Sequence, residues 1–94
     1  MKNFSEHVRA IVREIPEGQV MSYGAVAKAA GKKNAYRAVA NVVANNYDPT
    51  VPCHRVIRSD GTLGGYNRGG EEAKRHLLTR EGWKEWQVVT KYLL

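Results

Sequence analysis

The single cysteine of this 94-residue chain, Cys53, lies in "PCHRV" and is followed directly by a histidine. A cysteine thiolate is a strong nucleophile, and a nearby histidine can remove the thiol proton. In an extended segment, however, Cys53 and His54 would point to opposite faces, so direct contact would need a kink after Pro52. From the dipeptide alone, a buried structural cysteine is favoured over a nucleophile.

Other kinds of chemical site find little support. The three histidines, His7, His54 and His76, lack the spacing of zinc ligands, and there is only one cysteine. The segment "GTLGGYNRGG" is rich in glycine but lacks the Gly-Lys-Ser/Thr ending of a phosphate-binding P-loop. We therefore expect no metal and no cofactor.

Length and charge restrict the class of protein. Ninety-four residues correspond to one domain, and 43% hydrophobic with 26% charged residues is typical of a soluble globular chain. The formal charge of +6 favours a polyanionic partner such as nucleic acid, although a generically basic soluble protein is the alternative. One cysteine cannot form an internal disulfide, which fits a reducing compartment.

No segment has the pattern of a membrane or secretory element. No apolar run reaches the roughly 20 residues of a membrane helix. The start, "MKNFSEHVRA", is amphipathic and contains Glu6, unlike a secretory signal. We expect an intracellular, cytoplasmic or nuclear, monomeric protein without a membrane partner.

The periodicity of apolar residues predicts three helices in the first half. The first spans about Ser5 to Ile15 and is stopped by Pro16 and Gly18. The second is capped by Ser22 and ends at Gly31. The third, "AYRAVANVVANN", is predicted to be capped by Asn34, with an apolar stripe formed by Ala35, Ala38, Val39 and Val42.

The second and third helices, joined by "GKKN", predict a helix-turn-helix. The third helix would be presented to DNA, since its alanines allow its backbone to approach a groove closely.

The second half is predicted to be mostly loop. "CHRVI" has an extended character, "SDG" a turn and "GTLGGYNRGG" a loop that approaches another group closely. "EEAKRHLLTREG" predicts a fourth helix that ends at Gly82. The tail, residues 83–94, fits helix and strand equally. The predicted fold class is a small, mainly α single domain over residues 1–94, with a helix-turn-helix, a cysteine-bearing loop and a Gly-rich loop followed by a helix.

Four segments together resemble the C-terminal domain of O6-alkylguanine-DNA alkyltransferases. They are "GQVMSYGAVAKAAG", "AYRAVA", "NNYDPTVPCHRVIRSDGTLGGY" and "KRHLLTREG", in the order and nearly the spacing of that family. The resemblance covers about Phe4 to Gly82 and includes no counterpart of the family's N-terminal domain. It is specific because the motifs occur in combination.

The resemblance implies a single-turnover reaction in which Cys53 accepts an alkyl group from the O6 atom of a damaged guanine. It implies that His54 draws the thiol proton through a bridging water and that Glu81 orients His54. Asn45 would brace the loop that carries the cysteine. Tyr23 would return a proton to the leaving guanine.

The resemblance also implies double-stranded DNA containing alkylated guanine as the partner, with the damaged base flipped out of the duplex. Arg37 would fill the gap in the base stack. The implied contacts to the DNA backbone are Tyr23, Gly24, Lys32 and Ser59, and the implied pocket residues are Tyr66, Val42, Asn67 and Val56. Against the family pattern, the Gly-rich loop is one residue longer, which places Arg68 near the pocket mouth.

Three functions fit these features to different degrees. An active DNA repair alkyltransferase is favoured. A non-catalytic alkyltransferase-like protein, which binds alkylated DNA and recruits other repair proteins, is the main alternative, although such proteins usually carry tryptophan where this chain has Cys53. A simple helix-turn-helix regulator leaves the cysteine loop and the glycine loop unexplained.

Overall fold

The structure, a computed structural model, describes residues 3–83. Its helices are α1 (Phe4–Arg13), α2 (Tyr23–Ala29), α3 (Tyr36–Ala44) and α4 (Gly70–Arg80). Two short strands, β1 (Met21–Ser22) and β2 (Val56–Ile57), form a parallel sheet, and a single 3₁₀ turn, Cys53–Arg55, precedes β2. The predicted mainly α fold class is therefore confirmed, with the small sheet as an addition. Within residues 3–83, no helix has the length and apolarity needed to cross a membrane.

Helix α1 is amphipathic and presents Val8 and Val12 to the core, where both are fully buried. The Asn3 side chain caps its start by accepting a hydrogen bond from the Glu6 amide at 2.9 Å. The helix ends at Arg13 rather than at the predicted Ile15, because the chain must turn before Pro16, which disfavours helical backbone at the residue before it.

The predicted helix-turn-helix is present as α2 and α3. The Ser22 hydroxyl caps α2 by accepting from the Ala25 amide at 2.9 Å, and Gly31 follows the helix with a φ of 89°. The predicted cap at Asn34 is wrong: α3 starts at Tyr36, with Ala35 at the cap position and no side-chain cap.

The buried face of α3 matches the predicted stripe in part, since Val39 belongs to the core and Ala35 and Val42 pack against it. Val39 and Val43, four residues apart, are buried, whereas Ala38 is exposed. Helix α3 packs against both α1 and α2, and this packing also buries Val43, which the predicted stripe did not include.

The parallel sheet places the cysteine loop beside the start of α2. Met21 pairs with Val56 and Ser22 with Ile57. The predicted extended conformation of "CHRVI" holds only for the strand, since Cys53–Arg55 forms a 3₁₀ turn in which the Arg55 amide donates to the Pro52 carbonyl at 2.9 Å. With three residues per turn, neighbouring side chains no longer point to opposite faces.

Two buried clusters hold the elements together. One joins α1, α2, α3 and the cysteine loop, and it includes Val26 and Cys53. The other consists of Val20, Ile57, Leu63, Leu78 and Trp83, and it fixes α4 beneath the sheet. Of the tail at 83–94, whose conformation was not predicted, only Trp83 belongs to the described residues, and it is packed in this second cluster.

Candidate active site

Cys53 is a free, buried thiol at the first position of the 3₁₀ turn. Its Sγ atom accepts a hydrogen bond from Asn46 Nδ2 at 3.0 Å. Burial raises the pKa of the Cys53 thiol, and the hydrogen bond from Asn46 and the positive charges of Arg68 and Lys74 offset part of that rise.

The asparagine that braces the cysteine loop is Asn46, and the prediction of Asn45 is corrected. Asn45 is the exposed C-cap of α3, where its Nδ2 donates to the Asn41 carbonyl at 2.9 Å. Asn46 follows it, turns inward and is only 7% exposed, so that its amide also reaches the Asp48 carbonyl at 3.3 Å.

His54 lies in a hydrogen-bonded cluster with Glu81 and Arg55. His54 Nε2 is 2.8 Å from Glu81 Oε2. Arg55 holds both oxygens of the same carboxylate, with Nε donating to Oε1 at 2.9 Å and Nη2 to Oε2 at 2.7 Å. Its Nη1 donates to the Ile15 carbonyl at 2.7 Å, which links the segment after α1 to the end of α4. Arg55 was not singled out from the sequence, although it is part of the quoted "PCHRV".

The end of α4 determines where the Glu81 carboxylate lies. Glu81 is the C-cap, Gly82 follows with a φ of 94°, and the Trp83 amide donates to the Leu78 carbonyl at 3.0 Å. This is a Schellman ending, which favours glycine at the left-handed position. The sequence prediction that α4 stops at Gly82 therefore also explains the position of Glu81.

The protonation of the cluster follows from its charges. Burial would raise the pKa of Glu81, but hydrogen bonds from Arg55 and His54 outweigh it and hold that pKa below its usual value. The ionised carboxylate accepts the Nε2 proton of His54, so Nδ1 of a neutral imidazole has a free lone pair. Among the hydrogen bonds of residues 3–83, none joins Cys53 directly to His54.

A cavity of about 320 Å³ lies between α3 and the Gly-rich loop, and we call it the glycine-loop cavity. Its lining residues are Tyr23, Ala40, Val43, Ala44, Arg58, Gly64, Gly65, Tyr66 and Asn67. Val42, predicted to line the pocket, packs partly buried against the core and does not line this cavity, whereas the neighbouring Val43 does. Val56, also predicted to line the pocket, is fully buried, so only its backbone is left to contact a bound guanine.

A second cavity, of about 370 Å³, contains the nucleophile candidate, and we call it the thiol cavity. Cys53, His54, Tyr66 and Arg68 are among its lining residues. Tyr66 lines both cavities, so the two spaces lie next to the same residue.

Lys74 is a fully buried residue of α4 that sequence reasoning missed. Its Nζ donates to the carbonyls of Leu63 at 2.6 Å and Gly65 at 3.2 Å, so it holds the Gly-rich loop. Burial lowers the pKa of Lys74 to about 8. The spacing of Lys74 and Leu78, one helical turn apart on the buried face of α4, was the signal available in the sequence.

Asn67 ties the Gly-rich loop to the end of α3. Its Nδ2 donates to the carbonyls of Ala44 and Asn46, both at 2.8 Å. Its Oδ1 is buried and has no hydrogen-bond partner among residues 3–83. Asn67 lines the glycine-loop cavity, and its predicted role in holding the substrate stays a prediction.

The residues predicted to contact DNA lie partly in one shallow groove of about 460 Å³, the outer groove. Tyr23, Arg37 and Ser59 line it together with Tyr36 and Arg58. A Cβ on Gly24 would lie 3.8 Å from Ser59 Oγ, which places Gly24 beside this groove. Lys32 lies at the turn after α2, with its Nζ 5.4 Å from the centre of the Phe4 ring.

Residues 3–83 match the family model described as the DNA-binding domain of 6-O-methylguanine DNA methyltransferase. The bifunctional transcriptional activator and DNA repair enzyme Ada of Escherichia coli is 47% identical over 83 residues, covering 87% of this chain and 23% of that protein. The rat methylated-DNA–protein-cysteine methyltransferase is 40% identical over 84 residues, covering 88% of this chain and 40% of that protein. The chain thus spans less than half the length of these curated relatives.

Solved structures of related proteins have the same fold. Mycobacterium tuberculosis OGT in complex with DNA matches with a TM-score of 0.80 and 36% identity, covering 95% of this chain and 56% of that one. S. pombe Atl1, in complex with damaged DNA containing O6-carboxymethylguanine, matches with a TM-score of 0.76 and 34% identity, covering 87% and 80% of the two chains. With the motifs quoted above, these matches show that the chain belongs to the O6-alkylguanine-DNA alkyltransferase family.

Proposed function

We propose that this chain is an active DNA repair protein that transfers an alkyl group from O6 of a flipped guanine to Cys53. The observation that carries the proposal is the position of Cys53 beside Asn46, His54 and the adjoining cavities. A residue kept only for packing would not need an amide donor on its sulfur or an ionised carboxylate behind the adjacent histidine.

The proposed proton path starts at the thiol. A water takes the Cys53 proton and passes a proton to Nδ1 of His54, while Glu81 stabilises the imidazolium that forms. The thiolate then attacks the alkyl carbon: the S–C bond forms, the C–O6 bond breaks, and the electron pair leaves on the guanine. The phenol of Tyr23 is protonated near neutral pH, as burial raises its pKa above an ordinary value that is already alkaline, and it can return a proton to the guanine anion.

The proposed DNA contact uses α3 and the outer groove. Arg37 is exposed on α3 and its guanidinium lies 6.0 Å from the centre of the Tyr36 ring. Entering the duplex in place of the flipped base, Arg37 would lower the cost of base flipping, which is a few kcal/mol. The adjoining glycine-loop cavity would hold the extruded guanine.

A non-catalytic binder of alkylated DNA is the second candidate, favoured by the match to Atl1, of which this chain covers 80%. The two functions differ at Cys53. Incubation with duplex DNA containing O6-methylguanine, followed by peptide mass spectrometry, is expected to show one methyl group on Cys53. Tight binding to that duplex without a methylated Cys53 would support the second candidate and contradict the first.

Two substitutions control this experiment. Cys53→Ala is expected to abolish transfer and leave DNA binding largely intact. Arg37→Ala is expected to slow transfer from duplex DNA more than reaction with free O6-alkylguanine base, since only the duplex requires flipping. An equal loss on both substrates would contradict the role of Arg37.

A further inference from the structure

Arg68 introduces a positive charge into the cavity that contains the proposed nucleophile. It is exposed, follows Tyr66 by two residues in the Gly-rich loop, and lines the thiol cavity with Cys53, His54 and Tyr66. We propose that Arg68 makes the thiol cavity selective for O6 substituents that end in a carboxylate. This inference rests on the proposed function, because it concerns the substrate class of the same site.

The two adjoining cavities define where such a substituent would lie. If guanine occupies the glycine-loop cavity, in-line attack places the transferred carbon between O6 and Cys53 Sγ. Any further atoms of the substituent must extend to the side of this line. Tyr66 borders both cavities, so the space available beyond its ring is the thiol cavity.

The charges around the thiol cavity leave Arg68 available to a ligand. Arg55 is paired with Glu81 at 2.7 Å, and Arg13 lies 3.6 Å from Asp48. Arg68 forms no ion pair among residues 3–83, and its side chain is hydrogen-bonded to Tyr66, a neutral partner that leaves the positive charge uncompensated. The nearby Asp48 is hydrogen-bonded to Thr50, and those bonds, more than the charges of Arg13 and Arg68, lower the pKa of its carboxyl.

The positive charge of Arg68 reaches the reacting atoms. It opposes the rise that burial causes in the pKa of Cys53 and of Tyr66. A guanidinium can also form two parallel hydrogen bonds with one carboxylate. Arg68 would therefore bind a carboxymethyl group and reduce its repulsion of the attacking thiolate.

The chemical step needs no additional reactant. The thiolate forms a bond to the methylene carbon, the bond from this carbon to O6 breaks, and guanine leaves with the electron pair and regains a proton. The product at residue 53 is S-carboxymethylcysteine.

The test compares two duplexes, one with O6-carboxymethylguanine and one with O6-carbamoylmethylguanine, which has nearly the same shape but no charge. Single-turnover rates at saturating protein are expected to favour the carboxylate in the natural protein. Arg68→Gln should lower the ratio of the two rates roughly fivefold, as for one solvent-accessible ion pair. Arg68→Glu should lower it further. Arg80→Gln removes an exposed charge of α4 that does not line the thiol cavity, and it should leave the ratio unchanged.

If the ratio of the two transfer rates is unchanged in Arg68→Gln, the inference is overturned. The same conclusion holds if both rates fall by the same factor, since that result would mean that Arg68 contacts only phosphate. Failure of the proposed function is distinguished by the absence of any adduct on Cys53 from O6-methylguanine. In that case the dissociation constants of the two duplexes are compared in the Cys53→Ala protein. Tighter binding of the carboxylate duplex that is lost in Arg68→Gln supports the inference. Equal binding of the two duplexes overturns it.

Discussion

Asn45 and Asn46 are adjacent in the chain but have different environments. The Asn46 side chain donates to Cys53 Sγ, whereas the Asn45 side chain donates to the Asn41 carbonyl of its own helix. A hydrogen bond to a charged group contributes about 1.5–3 kcal/mol, so losing the bond from Asn46 should raise the pKa of the Cys53 thiol further. Asn46→Ala is therefore expected to slow alkyl transfer at neutral pH about tenfold, and Asn45→Ala less than about twofold.

The pH dependence of iodoacetamide alkylation measures the same thiol pKa without any DNA. Asn46→Ala should shift this profile to higher pH, with Asn45→Ala overlaying the natural protein. Equal profiles for the two variants would show that the bond to sulfur has no electrostatic role.

Lys74 couples stability to pH because its folded pKa is about 8, below the ordinary 10.5. Between these values the unfolded chain binds more protons than the folded one, so the contribution of Lys74 to the free energy of unfolding rises with pH. The full rise is about 3 kcal/mol. Urea unfolding gives the free energy of unfolding of the natural protein and of Lys74→Met at pH 7 and pH 10. The value for the natural protein minus that for the variant should be larger at pH 10 than at pH 7.

The comparison with Lys74→Met cancels the opposite contributions of Tyr23 and Tyr66, whose pKa values burial raises in both proteins. A stability difference independent of pH would mean that Lys74 keeps an ordinary pKa in the folded state.

At the scale of elements, Arg55 joins three parts of the fold through one side chain. It connects the 3₁₀ turn to Glu81 at the end of α4 and to Ile15 after α1. Removing one partner of a largely buried pair leaves a carboxylate and a carbonyl with fewer donors. Arg55→Met should therefore lower the free energy of unfolding by about 2–4 kcal/mol.

Arg13 gives the matched control, since its pair with Asp48 is nearly half-exposed and 3.6 Å long. Arg13→Met is expected to cost less than about 1 kcal/mol in the same urea titration. Similar losses for both variants would mean that the Arg55 contacts do not hold the elements together.

At the scale of the whole molecule, the formal charge of +6 predicts salt-dependent binding to DNA. Each phosphate contact that is lost should reduce the slope of log K against log salt by about one. Arg58→Gln, in the outer groove, should reduce this slope, whereas Arg9→Gln, on α1, should leave it unchanged. Fluorescence anisotropy of labelled duplex DNA over a range of salt concentrations measures the slope for each variant. Equal slopes for Arg58→Gln and Arg9→Gln would mean that the DNA does not bind at the outer groove.

Local sequence patterns determined the helices and the identity of the main chemical groups. Apolar periodicity, the Ser22 cap and the glycines at 31 and 82 predicted α1, α2 and α4, because these signals act within a few residues. The family motifs pointed to Cys53, His54 and Glu81, although 27 residues separate the histidine from the carboxylate. The structure brings those two side chains within 2.8 Å.

Only the tertiary structure decided which neighbouring residue faces inward. The packing of α3 against α1 and α2 buries Val43 more deeply than Val42, and the chain beyond the C-cap Asn45 turns so that Asn46, not Asn45, reaches Cys53 Sγ. The tertiary structure also determines that Cys53–Arg55 forms a 3₁₀ turn and that Lys74 is buried under the Gly-rich loop. It likewise determines that Arg55 donates to three acceptor atoms, two on Glu81 and one on Ile15. These contacts join segments distant in the chain, and their geometry depends on packing rather than on local spacing.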